Sequence, residues 1–183
     1  MFIFNVDVNE CIKYLKLSAA QNFVNSNHLL GVIYYLNPKM KNIEKAIKYF
    51  SIASSYRREN PENNDFYDFY VTFSLPNKQI ISNNLFYSEI TARFSSNMCL
   101  GDIYKDKSSD YYDISKSIYY YSCISKQDII EYQNYINECN LKKFPEYGIE
   151  MLKSMKNDMI HDFINANFFI ALYYIKNDID GCI

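Results

Sequence analysis

Two stretches decide how this chain folds: "NSNHLLGVIYY" at residues 25–35 and "SSNMCLGDIYK" at residues 95–105. Both carry Asn, Leu-Gly and Ile-Tyr at one spacing, which aligns Gly31 with Gly101. The same interval taken onward from Gly101 leads to Ala171 in "ANFFIALYY", and Tyr34, Tyr104 and Tyr174 then coincide. Glycine inside a helix costs about 1 kcal/mol relative to alanine. Its recurrence implies that a second helix approaches too closely there to leave room for a Cβ. The third copy keeps the residue small.

A second frame supplies that second helix. "VNECIKYLKLSAA" begins at Val8, "IEKAIKYFSIASS" at Ile43 and "ISKSIYYYSCISK" at Ile114. Aligned, they bring Ile12, Ile47 and Ile118 together, then Tyr14, Tyr49 and Tyr120, then Leu15, Phe50 and Tyr121. The step from Val8 to Ile43 is one period, and that from Ile43 to Ile114 is close to two. Within each copy the apolar residues recur at helical spacing, as in Val8, Cys11, Ile12 and Leu15. Asp7, Asn42 and Asp113 stand just before the copies, where a side-chain oxygen can cap the first free N–H groups. Tyr120 is expected in the core.

The unit is therefore two helices, A with the Leu-Gly-X-Ile-Tyr frame and B with the Lys-X-Ile-X-Tyr frame. It spans about 35 residues, within the range of helical repeat arrays. One such pair cannot bury its apolar faces alone; stacked neighbours can.

With both frames in hand, the chain resembles the Sel-one-like repeat family, close kin of tetratricopeptide repeats. Leu30, Gly31, Tyr34, Lys45, Ala46, Tyr49 and Ala53 match that family's unit, and so do Leu100, Gly101, Tyr104, Asp113, Lys116 and Tyr120. Asp7, Tyr14, Ser18 and Ala19 match a leading half-unit. The resemblance is carried by residues 7–57 and 92–126. It departs where Phe66 and Ile136 replace intervening glycines, and where "LNPKMKN" and "KDKSSDYY" replace the usual glycine turn. It implies an all-α fold, a right-handed α/α superhelix (solenoid) of about five helix pairs forming one domain over 1–183. Degenerate units then fall at about 58–91 and 127–158, with a terminal half-unit at 160–183. The coarse helix reading is 8–22, 24–36, 42–57, 63–74, 78–91, 92–106, 112–126, 127–141, 146–158 and 160–176. The array opens on a B helix and closes on an A helix. Either the termini cap themselves or the chain is part of a longer array, and the second is the expectation.

Composition excludes several function classes. The chain has 183 residues, 49% of them hydrophobic and 17% aromatic, enough for a sizeable core. Net charge is −2 and no basic run appears, so no nucleic-acid partner is expected. The longest apolar stretch, "FFIALYYI" at 168–175, is far short of the ~20 residues that span a bilayer, so no membrane insertion is expected. No signal peptide is visible, and cytoplasmic localisation is the default. Cys11, Cys99, Cys123, Cys139 and Cys182 show no zinc-ligand spacing. No paired carboxylates, phosphate loop or nucleophile motif appears, so neither cofactor nor enzymatic activity is expected. His28 and His161 read as helix-surface histidines.

The candidate binding residues lie on the A helices. If Leu30, Gly31 and Tyr34 point inward, the opposite stripe comprises His28, Val32 and Tyr35. Its counterparts are Met98, Asp102 and Lys105, then Phe168, Leu172 and Ile175. The resemblance implies that A helices line a concave surface. A stripe that varies while the packing frame holds suits a binding surface; ordinary surface drift gives the same variation. Phe168, Leu172 and Ile175 also read as an apolar end face awaiting a further repeat or a partner. The expected function is a non-enzymatic protein–protein interaction scaffold or adaptor, with a protein or peptide as partner. The alternatives are a regulatory or targeting segment of a larger signalling protein such as a kinase, or an adaptor in ubiquitin-linked quality control.

Overall fold

The computed structural model describes residues 8–55, 70–71, 85–86, 89–141 and 146–180. The fold is all-α. Its helices are α1 (Val8–Ala19), α2 (Val24–Leu36), α3 (Ile43–Ser55), α4 (Glu89–Lys105), α5 (Ile114–Ser122), α6 (Lys126–Leu141) and α7 (Glu146–Asp180). A short antiparallel ladder, β1 (Tyr70–Val71) with β2 (Leu85–Phe86), pairs Tyr70 with Phe86 and Val71 with Leu85. The chain divides into two compact units, 1–93 and 94–183.

In the first unit α2 is the central helix. Every residue from Ser26 to Gly31 is buried, because α1 packs on one of its faces and α3 on another. Asn22, in the left-handed region at φ 63°, turns the chain from α1 into α2; asparagine tolerates that region better than most residues. The Ser26 hydroxyl donates to Ser18 Oγ at 2.7 Å and ties α2 to α1. Across α2, a Cβ on Gly31 would lie 2.5 Å from Phe50 Cδ1, so the ring of α3 rests directly on the glycine backbone. Val24, Ala53 and Ala92 form a small cluster in the same unit.

The second unit repeats this contact. A Cβ on Gly101 would lie 2.5 Å from Tyr121 Cδ1, so α5 rests on α4 as α3 rests on α2. Buried Tyr132, Ile136, Leu152 and Met159 fill the space between α6 and α7. Lys156 Nζ donates to Gln133 Oε1 at 2.7 Å across the same pair.

Helix starts follow the sequence signals where they are described. The Lys45 N–H donates to Asn42 Oδ1 at 2.8 Å and the Lys116 N–H to Asp113 Oδ1 at 3.0 Å, so both residues cap the following helix. Asp7 lies outside the described residues.

Three expectations need correction. Residues 70–71 and 85–86, read as parts of helices 63–74 and 78–91, pair as strands. Their surroundings, "FYDFYVTF" among them, are rich in aromatic and β-branched residues, which favour extended backbone. The remainder of 58–88 lies outside the described residues. Second, α7 runs unbroken from Glu146 to Asp180, where two helices meeting near residue 159 were expected. No Gly or Pro occurs between Ile149 and Asp180, so nothing in the sequence stops it. Third, Tyr120, expected in the core, is not there, although Phe50, on the expected apolar face of α3, is buried. Phe50 and Tyr121 are in the core, while Tyr49 and Tyr120 lie half-buried at its edge.

Candidate protein-interaction surface

Those edge tyrosines build the same arrangement in each unit. Tyr49 stacks on Tyr34 with centroids 5.8 Å apart and planes 5° from parallel; Tyr120 stacks on Tyr104 at 5.7 Å and 4°. Lys45 Nζ sits 5.3 Å above the Tyr34 ring and Lys116 Nζ 5.2 Å above the Tyr104 ring. An ammonium over a tyrosine face is attracted by the ring quadrupole. The frame residues Tyr, Tyr and Lys are thus one tertiary contact written twice. Asp113 is held below the usual carboxylate range, first by the Lys116 backbone N–H and then by its side chain. Tyr104 is pushed up by burial and then by Tyr120.

The predicted stripe separates into three situations. His28 is a correction: it is buried, with its ring 5.7 Å from that of Phe50, and it presents nothing to a partner. Burial lowers its pKa to about 3, so the imidazole is neutral in the folded chain. Relative to Gly31, residues 28 and 35 lie about 60° and 40° around the helix. Both lie on the same side of the glycine instead of opposing it, and the Phe50 ring that covers Gly31 reaches both. Tyr35 accordingly meets Phe50 edge-on at 6.2 Å, and Val32 is half-buried beside it.

Asp102 and Lys105 are partly exposed and engaged within the second unit. Asp102 Oδ1 accepts from Tyr121 OH at 2.6 Å and from Lys105 Nζ at 2.8 Å. The same ammonium lies 5.3 Å from the Tyr121 ring centre and 5.4 Å from that of Phe169 on α7. Met98 is half-buried. Cys99 joins this cluster: its thiol is pushed up to about 12 by burial, then by Asp102 and Asp162. Asp162 is raised by burial, then by Asp102 and Asp158, with His161 partly offsetting them. A thiol so held stays protonated at neutral pH. The cluster is a structural hub.

Phe168, Leu172 and Ile175 are different. They are 63%, 49% and 55% exposed. Ile164 and Tyr174, also exposed, extend them into one apolar band along α7. Phe169, Ala166 and Asp162 turn to the other side, where Phe169 packs edge-on against Tyr121 at 5.2 Å. The sequence stripe contained Phe168, Leu172 and Ile175 but not Ile164, Ala171 or Tyr174. The Gly31-to-Gly101 register places Ala171 and Tyr174 among the packing positions, and both are exposed on α7.

Among the described residues no group of three or more His, Cys, Asp or Glu side chains could hold a metal ion, and no helix is long and apolar enough to cross a membrane. No family model matches the chain, and no curated protein or solved structure is significantly similar to it.

Proposed function

We propose that this protein is a non-enzymatic interaction scaffold that binds another protein through the exposed apolar face of α7. The observation that carries this reading is the band of Ile164, Phe168, Leu172, Tyr174 and Ile175, large apolar side chains left in water along one helix face. Water-exposed apolar surface of this extent is costly to maintain and marks binding sites. Aromatic residues are the side chains that most often anchor such contacts. The polar groups that could suggest chemistry are occupied otherwise: Asp102 and Lys105 by Tyr121, and Cys99 by its protonating surroundings. The twin A–B contacts at Gly31 and Gly101 support a helical-repeat scaffold of the solenoid type.

The test is affinity capture with the purified full chain beside a Phe168→Asp/Ile175→Asp variant. Both side chains are exposed, so the variant keeps its helical circular dichroism and its melting temperature. The scaffold reading expects specific protein partners for the wild type that the variant loses. An identical set of partners on both baits would remove α7 from the binding surface.

A further inference from the structure

The central helix α2 shows what an A helix needs. Its Ser26 face is covered by α1 and its Gly31 face by α3, through Phe50 over Gly31 and Tyr49 on Tyr34. Residues 160–176 of α7 run in register with α2 at twice the interval that separates Gly31 from Gly101. Phe168, Ala171, Tyr174 and Ile175 then stand where α2 has His28, Gly31, Tyr34 and Tyr35. On α2 these are the positions that Phe50 and Tyr49 touch. On α7 all four are exposed, and Tyr174 is 56% accessible where Tyr34 is 7% and Tyr104 is 8%. The face of α7 that is bare is the one a B helix covers elsewhere in this chain.

The complementary deficit belongs to α1. It is a B helix by sequence, and its Tyr14 coincides with Tyr49 and Tyr120, each of which stacks on an A-helix tyrosine. Tyr14 itself is 62% exposed, and Leu17 beside it is exposed as well. Cys11 coincides with Ala46 and Ser117, which are fully buried in their helix pairs, yet Cys11 is only half-buried. Leu15, at the position of Phe50 and Tyr121, is itself buried, so the exposed contact that α1 offers is Tyr14 with Leu17.

We propose that α1 of one copy docks on residues 164–175 of α7 of a second copy, with Tyr14 stacked on Tyr174. The contact repeats in trans the tyrosine stacking that ties α3 to α2 and α5 to α4. This rests on the α7 face being a binding surface, and it names a second copy as the occupant. The contact is heterologous, so it closes into a ring of two or more copies or grows into an open chain. Glu10 stands where α3 and α5 have Lys45 and Lys116, so no ammonium covers Tyr174. Apolar burial holds the contact, and added salt does not weaken it.

The test is analytical ultracentrifugation of the purified full chain over a roughly hundredfold concentration range, wide enough to expose a reversible equilibrium. Wild type is expected to rise in mass from the monomer to a dimer or beyond as concentration increases. Tyr14→Asp alone and Tyr174→Asp alone are expected to remain monomers, and their equimolar mixture to form a dimer and stop. Alkylation of Cys11 slows as wild-type concentration rises, and does not slow in Tyr14→Asp. A wild type that is monomeric throughout, or a mixture that stays monomeric, overturns the proposal. Self-association of Tyr14→Asp overturns it in favour of α7 pairing with itself. If wild type is monomeric while Phe168→Asp/Ile175→Asp still loses a captured protein, the docking of α1 fails and the α7 binding surface stands.

Discussion

Gly31→Ala sets two effects of opposite sign against each other. Helix propensity alone predicts stabilisation by about 1 kcal/mol, because Gly31 lies inside α2. Packing predicts the reverse. The new Cβ would fall 2.5, 2.6 and 2.9 Å from Cδ1, Cε1 and Cγ of Phe50, where ordinary contact begins at 3.4 Å. The ring must move, yet it is fully buried, with His28 at 5.7 Å and Tyr35 at 6.2 Å between centroids. Forcing one extra carbon into a filled core costs about 1–3 kcal/mol. The net expectation is a loss of about 1 kcal/mol after the propensity gain. For a cooperative unit of this size that lowers the melting temperature by about 4–8 °C. Urea and thermal unfolding followed by circular dichroism at 222 nm measure both. Phe50→Leu removes the ring edge that collides, so it should cost less in the Gly31→Ala background than in wild type, a coupling on the order of 0.5 kcal/mol or more. Gly101→Ala should be worse than Gly31→Ala, because the Tyr121 ring is tethered through its hydroxyl to Asp102 at 2.6 Å. A Gly31→Ala protein that melts higher than wild type would refute the close approach of α2 and α3.

Tyr121→Phe deletes a hydrogen bond to a carboxylate while keeping the ring over Gly101; it should cost about 1 kcal/mol, read from the urea midpoint. Asn42→Ala removes the cap on Lys45 N and should cost about 1 kcal/mol, whereas Asn42→Asp should be nearly neutral. His28 makes stability depend on pH. Its folded pKa of about 3 lies below the ordinary 6.5, so the unfolded chain binds more protons between those values. Stability therefore falls as pH drops from about 6.5 towards 3, by up to about 1.4 kcal/mol per unit. His28→Met, which places there the residue found at position 98, should flatten that slope; equal slopes in the two proteins would contradict the burial of His28.

How much of this was legible in the sequence depended on the kind of signal. A glycine recurring in a helix interior has few explanations, and the ring of Phe50 or Tyr121 found over each is the one its spacing implied. Caps were legible because they are local: Asn42 and Asp113 each bond the third residue on. Periodicity located the B helices and put Phe50 on the apolar face of α3, but the recurring frame tyrosine drew the reading of the core in α5 to Tyr120, one residue short of Tyr121. Tyr49 and Phe50 are adjacent and both apolar, and the difference between core and edge is one step of about 100°. The outward stripe failed for His28 because α2 has helices on two faces, and a central helix has no true opposite side. The run of α7 past residue 159 was hidden by the expectation of a period, although the absence of Gly and Pro was in plain view.

The frame tyrosine has a further duty that explains why α7 ends up bare. The N–H of Asn42 donates to the Tyr34 carbonyl at 2.8 Å, and that of Asp113 to the Tyr104 carbonyl at 2.9 Å. Each cap residue is therefore anchored on the same residue whose ring the next helix stacks against. One residue fixes both where the B helix begins and where it lies, and it does so across connections of different length, 37–42 and 106–113. At Tyr174 this coupling is broken. The helix does not stop as α2 does at Leu36 and α4 at Lys105, but continues to Asp180. The helix makes no reversal at that point, and among the described residues no B helix lies against Phe168, Ala171, Tyr174 and Ile175. The ring set for stacking is present, while the turn found after Tyr34 and Tyr104 has no counterpart among the described residues after Tyr174. A helix that covers this face arrives from another chain or from elsewhere in sequence, which is the choice that the paired Tyr14→Asp and Tyr174→Asp experiment decides.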